Sequence, residues 1–196
     1  GMPSTTQILM QLLRRLLLLG GCLVATVSPA LEKPYKGPFV ENADILFVLM
    51  PRTPEQMAAF YEARGFPPAA IARIKATCFV TVHIENRSRH IIWMEPDTWK
   101  FSSGDRPLQR LDRDYWNTQW DTVDLPRANR STFGWTQLPA VRDLQPEESV
   151  GGNIVFPGTT ASFDLEATLQ TGQDRRGKQL EIRFENVNCP PGEPAE

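Results

Sequence analysis

Histidine is nearly missing from this chain, with two in 196 residues, and cysteine occurs three times. So few imidazoles and thiols leave no Cys/His cluster of the spacing that structural zinc sites use. Acidic residues are absent from positions 1–30, whose only charges are Arg14 and Arg15. No apolar run reaches the roughly 20 residues a membrane-crossing helix needs. Gly-x-Ser-x-Gly, phosphate-loop and dinucleotide signatures are missing too, so no motif points to a hydrolase, a nucleotide enzyme or a nicotinamide enzyme. Basic residues form no stripe, which argues against nucleic acid as a partner. Turn residues, by contrast, are plentiful. The 17 prolines and 13 glycines cut the chain into short segments, as turn-rich β proteins require.

The N-terminus reads as an address. Arg14-Arg15 precedes an apolar stretch from Leu16 to Val27, and Ser28-Pro29-Ala30 follows. A basic flank, a short apolar core and small residues at −3 and −1 are the parts of a secretory signal. Residues 1–30 are therefore expected to be a signal peptide, cleaved before Leu31. A rival reading rests on Leu19-Gly20-Gly21-Cys22, which resembles the lipobox of bacterial lipoproteins. That resemblance implies acylation of Cys22, the one route by which a membrane would enter the reading. Against it, residues 23–27 are apolar where lipoproteins carry a polar tether.

Export decides the cysteine chemistry. Without residues 1–30 the chain keeps Cys78 and Cys189, and an even pair in an oxidising compartment predicts a disulfide. The bond would close a loop of about 110 residues, for which chain entropy alone gives ~4.7 kcal/mol. Of 21 basic residues two fall in the signal, leaving 19 against 23 acidic ones, a net charge of −4.

Along the remaining chain, residues 31–43 read as an extended leader. Ile45 to Met50 is an apolar run of strand length, suited to burial on both faces. Thr53-Pro54-Glu55-Gln56 is a capping box with proline at the first helical position. Gly65 stops that helix, and Pro67-Pro68 starts a second, giving a helical hairpin over 54–76. From Cys78 the period changes to 2: Val80, Val82 and Ile84 alternate with Thr81, His83 and Glu85. With Asn86–Arg89 as a turn, this predicts a β-hairpin that sets Val82 opposite Trp93 and Ile84 opposite Ile91. A strand and turn are expected over 98–111, then a helix capped by Asp112 that carries Tyr115, Trp116 and Trp120. Residues 122–130 read as a polar connection, 132–138 as a strand, and 152–156 as another. The last hairpin pairs two alternating segments, Ser162–Leu169 and Gln179–Glu185, before Cys189. Residues 190–196 read as a flexible tail.

These segments predict a mainly β chain: one domain over 44–189, built as an antiparallel immunoglobulin-like two-sheet sandwich with a short N-terminal helical hairpin. The stretch from Leu144 to Pro157, with its proline turn, strand and second proline, is similar to a segment of immunoglobulin-like bacterial domains. The resemblance is architectural and implies no activity.

Three kinds of surface compete for a function. His83, His90 and Met94, placed by the predicted hairpin on one face with Glu85, suggest periplasmic copper handling, since imidazole with thioether suits copper. The carboxylate pairs Glu95/Asp97 and Asp112/Asp114 would suit a glycosidase, but a turn and a helix cap explain them as well. Aromatic crowding speaks louder: all five tryptophans lie between Trp93 and Trp135, joined by Tyr115 and Phe133. Trp93 and Trp116 are expected to be core. Arg110, Arg113, Arg127 and Arg130 interleave with Tyr115, Trp120 and Trp135, and Arg, Tyr and Trp are favoured at interfaces. The expected binding set is Arg113, Tyr115, Trp120, Arg127 and Trp135. The expectation is a non-enzymatic exported module, periplasmic or at the cell surface, that engages a partner protein or envelope component without a cofactor. Mass spectrometry of the native protein should return Leu31 as its first residue; an acylated Cys22 would refute the cleavage.

Overall fold

The computed structural model describes residues 35–194, so the expected signal peptide and Cys22 lie outside the described residues. In chain order the elements are β1 (Phe39–Glu41), β2 (Ile45–Arg52), α1 (Pro54–Glu62), α2 (Pro68–Lys75), β3 (Thr77–Asn86) and β4 (Ile92–Met94). A 3₁₀ turn at Pro96–Thr98 leads to β5 (Lys100–Ser103), β6 (Arg106–Pro107), α3 (Arg113–Thr122) and α4 (Arg127–Thr136). The chain ends with β7 (Arg142–Leu144), β8 (Ser149–Pro157), β9 (Ser162–Leu169) and β10 (Leu180–Asn188). The described chain is mainly β, with antiparallel sheets and four α-helices.

One sheet has the order β1-β2-β3-β8 and a second β10-β9-β5-β6, while β4 and β7 form a small pair between them in sequence. Alternation decides which side chains meet. Ile45, Phe47 and Leu49 of β2, Val80, Val82 and Ile84 of β3, and Ile154 and Phe156 of β8 face the second sheet. They pack on Phe163 and Leu165 of β9 and on Ile182 and Phe184 of β10. Phe47 meets Phe184 with ring centroids 5.4 Å apart, and Phe156 meets Phe163 at 4.5 Å, both in the range of favourable aromatic pairs. Phe79 and Val155 point to the other side of the first sheet, where Met57, Tyr61, Ile74, Trp116, Trp120 and Phe133 cover them. The first sheet is thus sandwiched between a second sheet and a layer of helices.

The helical hairpin forms as its caps direct. The Thr53 hydroxyl accepts from the Gln56 N–H while the Gln56 side chain accepts from the Thr53 N–H. Asp112 caps α3 in the same manner, accepting from the Tyr115 N–H at 3.0 Å. The two segments of the last hairpin pair as expected, in a register that sets Leu180 opposite Leu169 through Phe184 opposite Leu165. The hairpin then bulges at Asn186, whose N–H bonds the Asp164 carboxylate.

Three local expectations are corrected. β3 does not pair with β4, because its two edges are occupied by β2 (Leu49 opposite Val82) and β8 (Ile154 opposite Val80). The chain after Asn86 instead leaves the sheet, and Asn86 holds the exit: its amide donates to the carbonyls of His90 and Leu144. Trp93 is accordingly half-buried, not core, with Nε1 donating to the Gly172 carbonyl and the Arg175 guanidinium over its ring. Residues 127–136 are helix α4, not a connection and strand, because Phe133 buries against α3. Beyond these, β1 lies within the leader and pairs with β2, and the Glu193 N–H donates to the Glu55 carboxylate.

Cys78 enters β3, and Cys189 follows β10 on the facing sheet. Their Cα atoms are 5.7 Å apart, and the sulfurs are bonded. Non-reducing peptide mapping should recover this pair, and reduction should cost up to about 5 kcal/mol given so long a loop. Free labelling of both thiols in the folded protein would count against the bond.

Candidate functional site

The aromatic crowd divides in two. On α3, Trp116 and Trp120 stand four residues apart and stack with centroids 5.0 Å apart. Phe133 of α4 closes on both, at 4.8 Å from Trp116 and 4.9 Å from Trp120. Trp120 is 1% exposed, held by Trp116, Phe133 and Phe66, while Trp116 and Phe133 meet Phe79 of β3. Its place in the expected binding set is therefore corrected: spacing of i, i+4 puts it under the helix with Trp116, and it is core. Arg130 and Arg110 are also internal fittings. Arg130 Nε donates to the Leu125 carbonyl at 2.8 Å and its guanidinium pairs with Asp121, which fixes α4 against α3. Arg110 pairs with Asp97. Arg113 and Arg127 are exposed, and Tyr115 is at the edge of exposure.

Trp135 is the opposite case. It is 86% exposed although Phe133, two residues earlier on the same helix, is buried. Burial of Phe133 fixes the helix, and two residues on, the indole must point away from the core. It flanks a cleft of about 440 Å³ that α1, α4 and the outer face of the first sheet enclose. Of the five expected binding residues, Trp135 alone lines it. Met57, Phe60 and Trp135 form the apolar wall, and Arg52, Gln56, Thr81, Thr136 and Asn153 supply polar groups.

Those polar groups are held by chains of hydrogen bonds. Arg52 Nε donates to the Thr81 hydroxyl at 3.1 Å, and that hydroxyl donates onward to the Asn153 side-chain oxygen at 2.8 Å. A guanidinium has five N–H donors; the others on Arg52 have no partner, and no carboxylate pairs with it, among the described residues. At the back of the cleft the Thr136 hydroxyl donates to the Phe133 carbonyl, so it accepts from the Tyr61 phenol 2.6 Å away. Burial pushes the Tyr61 phenol above its ordinary value of 10.0, against the opposing effect of its hydrogen bonds with Thr136, Asn153 and Gln137. The floor has no side chains where Gly151 and Gly152 fall within β8. A Cβ at Gly152 would lie 2.5 Å from the Leu138 backbone nitrogen, so only glycine lets the chain after α4 close over the strand.

The residues expected to hold a metal do not converge. Met94 is fully buried between the sheets, His83 faces the other side of the first sheet, and His90 is exposed on the chain leaving Asn86. Their shared face depended on the β3–β4 pairing, which does not form. The carboxylates are also committed elsewhere: Asp112 caps α3, Asp97 pairs with Arg110, and Glu95 pairs with Arg175. Sequence reading missed Arg52, Phe60, Thr81 and Asn153. The available signal was Gly151-Gly152 inside a strand, since paired glycines there mark a close backbone approach.

A phenol whose proton is held more tightly in the folded state stabilises that state fully below the unfolded value and loses the contribution as pH rises past it. Stability should thus decline above about pH 10, and Tyr61→Phe should flatten that decline while costing about 1 kcal/mol at neutral pH for the lost hydrogen bond. Urea melts of both proteins from neutral to alkaline pH would show it; identical alkaline slopes would refute the assignment.

No protein-family model matches the chain, and no curated protein does. Among solved structures it has a distant likeness to a candidate lipoprotein of Bacillus subtilis, YcdA, at 11% identity and a TM-score of 0.40. The match covers 78% of this chain and 39% of that one, so the chain spans about two fifths of that protein's length.

Proposed function

We propose that this protein is an exported, non-catalytic binding module that engages a protein or cell-envelope partner through Trp135 and the cleft beside it. The observation that carries the reading is an almost fully exposed tryptophan on a helix rigidly seated by Phe133 and Arg130. A large apolar side chain held out on a fixed support loses little conformational freedom on binding and fills a pocket well, which is why tryptophan dominates interface hot spots. The cleft's lining contains no side chain that titrates near neutral pH. Such a lining suits holding a ligand better than transferring protons. Arg113 and Arg127, exposed at the first turns of α3 and α4, extend the proposed surface.

Export is supported by the cross-sheet disulfide, which persists in oxidising compartments, and by the composition of residues 1–30. Among the described residues no helix is long and apolar enough to cross a membrane. The immunoglobulin-like reading also belongs to this proposal. Order β2-β3-β8 opposite β10-β9-β5 follows the A-B-E and G-F-C order of immunoglobulin sheets, with α3 and α4 where strand D would run.

The test contrasts two tryptophans. Trp135→Ala should leave the melting temperature nearly unchanged and weaken capture of the partner from envelope extracts by about 2 kcal/mol, with Arg127→Ala acting in the same direction. Trp120→Ala should instead cost about 3–5 kcal/mol of folding stability. Undiminished capture by Trp135→Ala would overturn the proposal.

A further inference from the structure

The cleft's chemistry narrows its occupant, and this step rests on the binding-module reading above. One wall is apolar and aromatic, from Trp135, Phe60 and Met57. The same cleft is lined by hydroxyl, amide and guanidinium groups from Thr81, Asn153, Gln56 and Arg52. The cleft has no acidic lining residue. Arg52 is half-buried and, among the described residues, bonded only to the Thr81 hydroxyl. A cation drawn partly out of water without a carboxylate is costly unless something anionic completes it. A second cation lies close by: the Arg64 guanidinium covers the Phe60 ring at 3.4 Å.

We infer that the cleft binds a carboxylate-bearing sugar. A pyranose ring has a face of C–H bonds, which an exposed indole attracts because the ring face carries the negative part of its quadrupole. Its hydroxyls match the Thr81, Asn153 and Gln56 groups, and its carboxylate takes the open fork of Arg52, the geometry guanidinium favours. The volume of about 440 Å³ falls within the range of small-ligand sites. An extended acidic peptide fits less well, because adding a strand needs a free edge. The β8 edge at Asn153 is already taken: its carbonyl accepts from the Leu138 N–H at 3.0 Å, beside the Gln137 bridge.

Carboxylated sugars have two common sources, uronic-acid polymers and the lactyl-bearing amino sugar of bacterial walls. The experiment is calorimetric titration of the folded domain with tetragalacturonate, the N-acetylglucosamine–N-acetylmuramic acid disaccharide, neutral chitotetraose and tetraglutamate. At least one acidic saccharide should bind at about 1 mM or tighter, and which one does so identifies the source. Chitotetraose should bind roughly tenfold more weakly. Arg52→Gln should weaken the acidic sugar by roughly tenfold to a hundredfold, the worth of one charge-assisted hydrogen bond, and leave chitotetraose unchanged. Trp135→Ala should weaken both. If Arg52→Gln melts early, Arg52→Lys, which keeps the charge and loses the fork, should show a smaller loss for the acidic sugar only. Equal binding of chitotetraose, tighter binding of tetraglutamate, or no acidic saccharide bound at about 1 mM would overturn the inference. If no saccharide binds while Trp135→Ala still loses partner capture, the sugar assignment fails and the module reading stands. Undiminished capture by Trp135→Ala defeats the module reading itself.

Discussion

Strand β3 is confined on every side, and the rest of the molecule is arranged by that confinement. One of its faces, Val80, Val82 and Ile84, packs into the space between the sheets; the other gives Phe79 to the helices. Both edges carry ladders, to β2 and to β8. Its ends are pinned as well. Cys78 bonds the segment after β10 on the opposite sheet, and the Asn86 amide donates to the carbonyls of His90 in the departing chain and of Leu144 in β7. A strand with no free edge cannot accept the next segment, so the polypeptide after Asn86 must cross to the second sheet. That crossing carries β4 away from β3 and buries Met94 between the layers.

The same geometry makes the cleft. One pair of helices is inserted between β2 and β3 and another between β6 and β8, and both lie on the outer face of the first sheet because Phe79 and Val155 are apolar there. Side chains lock the pairs together: Tyr61 of α1 donates to Thr136 of α4, and Arg73 of α2 donates to Gln119 of α3. Next to the apolar patch the outer face turns polar, at Thr81 and Asn153. A helix layer wide enough to cover the patch leaves a recess over the polar part. Rigid sheets hold the recess, while the helices and their connections provide its variable wall, the usual division between scaffold and binding surface.

Much of the local structure was legible. The Thr53 and Asp112 caps, the stop at Gly65, the period of 2 through β3, β9 and β10, and the pairing of the last hairpin all depend on residues within a few positions of one another. Helix α4 was not legible. Arg-Ala-Asn-Arg-Ser-Thr-Phe-Gly-Trp-Thr contains Gly134, β-branched Thr132 and a single buried apolar residue, Phe133, a composition poor in helix propensity. Contact between Phe133 and the two stacked tryptophans outweighs that deficit. The candidate site was legible only at Trp135; Thr81 and Asn153 read as ordinary strand residues and Arg52 fell beyond the expected strand, because their meeting depends on the ladders between β2, β3 and β8.

By itself the sequence determined most of the segments that become strands or helices, α4 excepted, which face of each is apolar, and that Cys78 and Cys189 form an even pair beyond residue 30. Those properties follow from periodicity, capping and composition, all short-range. Only the tertiary structure decided which strand pairs with which, that Trp120 is buried while Trp135 stands in solvent, and that Met94 and His83 lie on opposite sides of a sheet. Strand pairing is a competition for edges among segments distant in the chain, and alternation reports a face without naming a neighbour. The exposure of an aromatic ring is set by what the fold brings over it, and that cover comes from elsewhere in the chain.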